Sequence, residues 1–139
     1  RPHLATQPGY TASVHCPQRS CAIEPDSYID GFVLAVPTAN KETFRQHASE
    51  AAQIFKKHGA LEIVECWGDD VPEGKLTSMP LAVQRKDDET VVFSWVVWPS
   101  RAVRDAGMQA VMDDPLCPKD MPFDGQRVIY GGFRVLVHA

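Results

Sequence analysis

Apolar positions along this chain fall into two rhythms. From Val91 to Trp98 nearly every residue is β-branched or aromatic. Strand side chains alternate between faces, so Val91, Phe93, Trp95 and Val97 share one side, and Val92, Val96 and Trp98, interrupted by Ser94, share the other. Both sides of such a strand require burial. Between Asn40 and His58 the period changes. Phe44, Ala48, Ala51 and Phe55 recur at helical spacing, while Lys41, Glu42, Arg45, Glu50, Lys56 and Lys57 fall largely outside that stripe. Asn40 is the expected N-cap of this helix and Gly59 its stop signal.

The remaining segments complete an alternating order. Tyr28 to Val36 reads as the first strand, ended by Pro37, and Leu61 to Trp67 as the second; Val91 to Trp98 is the third. Ser100 is placed to cap a second helix from Arg101 to Asp113, and Gln126 to His138 is the expected last strand. Strand, helix, strand, strand, helix, strand describes two split βαβ units. Right-handed crossovers then predict an α+β, ferredoxin-like βαββαβ domain: a four-stranded antiparallel sheet with both helices on one face. The second apolar face of Val91 to Trp98 then calls for a partner, and a homodimer is expected. The connection from Gly68 to Thr90 exceeds what a hairpin needs, with a short helix expected after Pro80, and reads as a flap over one end of the sheet.

Composition narrows the classes. With 139 residues, 44% hydrophobic and 23% charged, the chain suits one globular domain. A net charge of -4 without clustered Lys or Arg argues against nucleic acid as a partner. No apolar run approaches the roughly 20 residues that span a bilayer, so no membrane association is expected. Residues 1–26 contain Pro2, Pro8, Pro17 and Pro25 without hydrophobic periodicity. They read as a disordered N-terminal extension, or as an added remnant foreign to the protein, preceding a domain of residues 27–139. Thr6 to Gln18 lacks the apolar core of an export signal, which leaves a cytoplasmic location expected.

Candidate chemistry is sparse. Asp30 sits in a strand among Tyr28, Phe32 and Leu34, where a carboxylate needs a partner: either a structural Arg or backbone donor, or a ligand at a cavity mouth. Trp95 and Tyr130 could line a ligand cavity or simply pack. In the long connection Lys75 could meet an anionic group, and Ser78 could serve a ligand or cap the short helix. Glu65 and Arg134 are charges in apolar strands, read as facing solvent at sheet edges, and His47 lies near the buried stripe of the first helix. Asp69, Asp70 and Glu73 lack the spacing of a calcium loop and read as a solvated turn. His15, Cys16 and Cys21 lack a second ligand pair, so no metal is assigned. There is no nucleophile elbow and no glycine-rich phosphate loop after a strand, and no cofactor is expected.

Several motifs taken together resemble one family. They are Tyr28-Ile29-Asp30-Gly31-Phe32, Glu65-Cys66-Trp67-Gly68-Asp69-Asp70, Gly74-Lys75-Leu76-Thr77-Ser78, Val91 to Trp98, Val111-Met112-Asp113-Asp114-Pro115 and Met121-Pro122-Phe123-Asp124-Gly125 through Phe133. In order and from about Ser27 to Val137, they resemble the YbaA-like family of bacterial proteins, a domain of unknown function. The resemblance implies a dimeric α/β barrel in which two ferredoxin-like sheets close face to face. It implies no substrate and no catalytic residues. Two functions are therefore weighed. One is a small-molecule-binding module, with cofactor-independent monooxygenase or isomerase chemistry as an analogy of fold alone. The other is a non-enzymatic, stress-related dimer. A cavity lined by Asp30, Trp95 or Tyr130 favours the first, and a filled interior the second.

Overall fold

The two-sided apolar run becomes β3 (Glu89–Trp98), which pairs along its whole length with β1 (Tyr28–Pro37), from Tyr28 opposite Trp98 to Pro37 opposite Glu89. β2 (Glu62–Trp67) flanks β3 and β4 (Ile129–Arg134) flanks β1, giving the order β2-β3-β1-β4 with every neighbouring pair antiparallel. The protein is an α+β domain with a four-stranded antiparallel sheet. The computed structural model describes residues 23–139. The expected extension lies outside the described residues as far as residue 22. Just before β1 a turn is held by the Ser27 N–H on the Glu24 carbonyl (3.0 Å) and the Glu24 N–H on Ser27 Oγ (2.8 Å).

One sheet face is covered by α1 (Lys41–Lys57) and α3 (Arg101–Asp113). Val92 and Trp98 are fully buried there and Val96 nearly so, against Phe44, Ala48, Phe55 and Met108. Each such side chain contributes about 1.5–3 kcal/mol on burial. Glu42 in the first turn of α1 and Lys56 and Lys57 in its last turn complement the helix dipole. Asn40 makes no side-chain cap; its amide donates instead to the Pro122 carbonyl at 3.2 Å. The C-terminal ends of the two helices meet at Asp114, which accepts from His58 Nε2 (2.8 Å), Lys57 Nζ (3.0 Å) and the Leu116 N–H (2.9 Å). The His58 hydrogen bond, then the Leu116 N–H and Lys57, hold this carboxyl well below the usual carboxylate range.

One segment departs from the sequence pattern, and the long connection follows it. β4 is shorter than the expected strand. Asp124 accepts from the Gln126 N–H at 2.9 Å and winds Gly125–Arg127 into a 3-10 turn, so pairing begins only at Ile129. The connection between β2 and β3 contains α2 (Met79–Ala82), capped by Ser78 Oγ, which accepts from the Leu81 N–H at 3.0 Å. This connection is anchored at its base. Val71 and Val83 pack on Ala35 and Val91, and Arg127 clamps the Glu89 carboxylate while donating to the Gln84 carbonyl at 2.9 Å. On the sheet face away from α1 and α3, Phe93 (43%), Ile129 (43%) and Phe133 (61%) remain exposed, with Trp95 packed on Phe93.

Candidate functional site

Strand register assembles the floor of a cleft from residues scattered through the sequence. Glu65 of β2 stands opposite Ser94 of β3, Ser94 opposite Phe32 of β1, and Phe32 opposite Tyr130 of β4. This row crosses the sheet from one edge to the other on the face beneath α1. The helix supplies the roof with His47, Ala48, Ala51, Ala52 and Phe55. The alanines keep the roof shallow, and helix and sheet therefore fail to meet over the row. A cavity of about 320 Å³ results, lined also by Met121, Phe123 and Val128. It continues toward the β2 edge as a second compartment of about 310 Å³, where Lys41, Arg45, Ser49 and Trp67 join Phe44, Ala48, Ala52, Ile63 and Glu65.

The lining is apolar except at a few points. Glu65 reaches water through the mouth, yet protein crowds it enough that desolvation pushes its carboxyl above the ordinary range, with the Ser94 hydrogen bond opposing. Ser94 itself is buried. His47, edge-on to Phe123 with ring centroids 6.1 Å apart, is shifted down by burial, with Glu50 opposing, which favours the neutral imidazole. Phe32 and Tyr130 stack at 6.3 Å, and Phe44 meets Phe123 edge-on at 5.9 Å. The cleft therefore offers aromatic and aliphatic walls, a carboxylate at the floor and a neutral imidazole at the roof.

The candidates named from sequence scatter. Tyr130 lines the cleft. Asp30 lies on the same sheet face but accepts from Trp98 Nε1 (2.9 Å) and from Arg104 Nε (3.1 Å) and Nη2 (2.9 Å), a buried structural cluster. Those hydrogen bonds push the Arg104 guanidinium further up. Trp95 is on the opposite face beside Phe93. Ser78 caps α2, and Lys75 is exposed in the same connection. Glu73, read as part of a solvated turn, pairs with Arg85 at 2.9 Å. Glu65, Ser94 and His47, which the pattern alone did not single out as a site, are brought together by the fold. Glu65 and Ser94 do leave a trace in the sequence. Each interrupts an otherwise apolar row, between Ile63 and Trp67 and between Val92 and Val96.

Comparison with known proteins places the chain. A family described as "Protein of unknown function (DUF1428)" matches residues 27–125. The chain belongs to this family. It is 51% identical over 113 residues to the "Uncharacterized protein YbaA" of Escherichia coli (strain K12), a match covering 79% of this chain and 97% of that protein. Proteins of the same name from Escherichia coli O157:H7 and Shigella flexneri match to the same extent. The family expected from the motifs is thus the one found, and the matched segment holds α1, β2 and β3, hence Glu65, Ser94 and His47. No helix of the described residues is long and apolar enough to cross a membrane.

Proposed function

We propose that this protein is a homodimeric small-molecule-binding domain, cytoplasmic, whose ligand occupies the cleft between α1 and the sheet. The cleft carries this reading. At about 320 Å³ it falls at the lower end of the range for small-molecule sites, and it combines mostly apolar walls with few polar groups. A stability-only role would favour filling such a space, since unfilled apolar volume costs packing energy. The test is a thermal-shift metabolite screen on the wild type and on Ala52→Phe, which projects a ring into the cleft. Compounds that raise the melting temperature of the wild type alone support the reading, because a ligand selective for the native state stabilises it. A library with no such compound, or hits that act equally on both proteins, overturns it.

The dimer rests on a separate observation. The strand order β4-β1-β3-β2 with both helices on one side supports a ferredoxin-like reading of the sheet, and the other side carries Phe93, Trp95, Ile129 and Phe133. Exposed aromatics in one patch mark an interaction surface. A second copy is the occupant we assign, since two such sheets closing face to face about a two-fold axis bury the same residues on both and form the dimeric barrel. Light scattering is expected to show a dimer for the wild type and a monomer for Phe93→Glu/Phe133→Glu. A monomeric wild type at micromolar concentration excludes this assembly.

A further inference from the structure

We infer that the cleft takes a small planar aromatic or enolic molecule whose hydroxyl donates a hydrogen bond to Glu65. This rests on the cleft being the binding site and names what it binds. The shape comes first. The roof over the floor row is a ledge of Ala48, Ala51 and Ala52, and the walls present the rings of Phe32, Phe44 and Phe123. A shallow slot between alanines and ring faces suits a flat ring system, which gains offset or edge-on ring contacts that a branched aliphatic does not.

The polar inventory then sets the functional group. An ionised carboxylate only accepts hydrogen bonds, and the Ser94 hydroxyl has one proton, which its bond to Glu65 uses. At the Glu65 end the floor therefore offers acceptor capacity without a free donor, the Tyr130 hydroxyl lying at the other end of the row on β4, so a ligand that meets Glu65 must bring the proton. A second carboxylate would be repelled there, and desolvation already disfavours the charge on Glu65. Lys41 and Arg45 line only the outer compartment at the β2 edge, and Arg45 is paired with Glu42 at 3.1 Å. A neutral hydroxyl on a flat ring satisfies the floor, and an anionic head does not.

Equilibrium dialysis with three probes of one ring size separates these terms: naphthalene, 2-naphthol and 2-naphthoate, each against wild type, Glu65→Leu, Glu65→Gln and Ala52→Phe. 2-Naphthol is expected to bind wild type about tenfold or more tighter than naphthalene, the factor a hydrogen bond to a charged group supplies. Glu65→Leu should abolish that preference, and Glu65→Gln, which keeps an acceptor, should retain part of it. Should Glu65→Leu fail to fold, the Gln variant carries the comparison through a reduced preference. 2-Naphthoate should bind wild type least. Equal binding of naphthalene and 2-naphthol, both lost in Ala52→Phe, would overturn the role of Glu65 and leave the cleft as the site. Tighter binding of 2-naphthoate than of 2-naphthol would move the polar contact to Lys41 and Arg45 and overturn the proposal. Binding unaffected by Ala52→Phe, or absent for all three probes, would remove the cleft itself and this inference with it.

Discussion

Asp30 and Glu65 are both acidic residues embedded in apolar strands on the helix-covered face of one sheet, and the fold treats them in opposite ways. Asp30, near the end where α3 crosses, is met by a guanidinium and an indole N–H and is sealed in. Glu65, under the alanine ledge of α1, is met by the Ser94 hydroxyl and faces a cavity. A buried carboxylate with full partners specifies packing, and one left looking into an open space is available to something else. The contrast extends to packing. At the Asp30 end, Gly107 lies so close to Trp98 that an added Cβ would sit 2.4 Å from its ring, whereas the Glu65 end holds empty volume.

The sharpest way to break this contrast is to unpair Asp30. Arg104→Met leaves its carboxylate buried with only the Trp98 indole, and it also removes the guanidinium lying 5.0 Å from the centre of the Tyr28 ring. Losing one partner of a buried pair costs about 3–5 kcal/mol, and partial exposure of Arg104 places the expected loss at about 3. Urea denaturation measures it. A loss below about 1 kcal/mol would mean that the sealed end is not the rigid one.

The next test adds carbon at both ends. Gly107→Ala is expected to destabilise by about 1–3 kcal/mol through overpacking on Trp98 and the His58 carbonyl, although alanine is the better helix former by about 1 kcal/mol. Ala52→Leu, which adds more atoms, is expected to change stability by less than about 1 kcal/mol because the cleft receives them. Thermal melts of the two variants side by side would reverse the comparison if the order of the losses were inverted.

The elements were legible because their signals are local. Ser100 as N-cap and the pattern from Arg101 to Asp113 placed α3, and the β-branched run placed β3. The start of β4 was not, since Asp124 and Arg127 hold the chain off the ladder through contacts with Gln126 and with Glu89, 38 residues away. The cleft was harder still. Glu65 and Ser94 are each one polar interruption in an apolar row, and only the register of β2 against β3 brings them together. Asp30 looked like the better candidate from sequence because its partner Arg104, 74 residues distant, is equally invisible without the fold.

The smallest expected effect is also the most specific to the Glu65 end. Desolvation raises its folded-state pKa above the ordinary 4.5, so the folded protein holds this proton more tightly than the unfolded chain. The stabilisation this gives is full below about pH 4.5 and is lost as pH rises through the raised value. Glu65→Gln keeps the acceptor for Ser94 without the charge. It should therefore be more stable than wild type at pH 7, and the gap should close as pH falls toward 4.5. Screening by water at the cleft mouth keeps the difference below about 1 kcal/mol. The other ionisable groups lining the cleft are His47, Lys41 and Arg45 of α1 and Tyr130 of β4, and burial lowers the pKa of His47, with Glu50 opposing. Parallel pH–stability curves for Glu65→Gln and His47→Gln separate the two groups. His47, whose pKa is lowered, contributes in the opposite sense, its neutral form being the one the folded state prefers as pH rises. A Glu65→Gln curve offset from wild type by a constant amount from pH 4 to pH 8 would show that Glu65 is as well solvated when folded as when unfolded, and the distinction from Asp30 would then rest on packing alone.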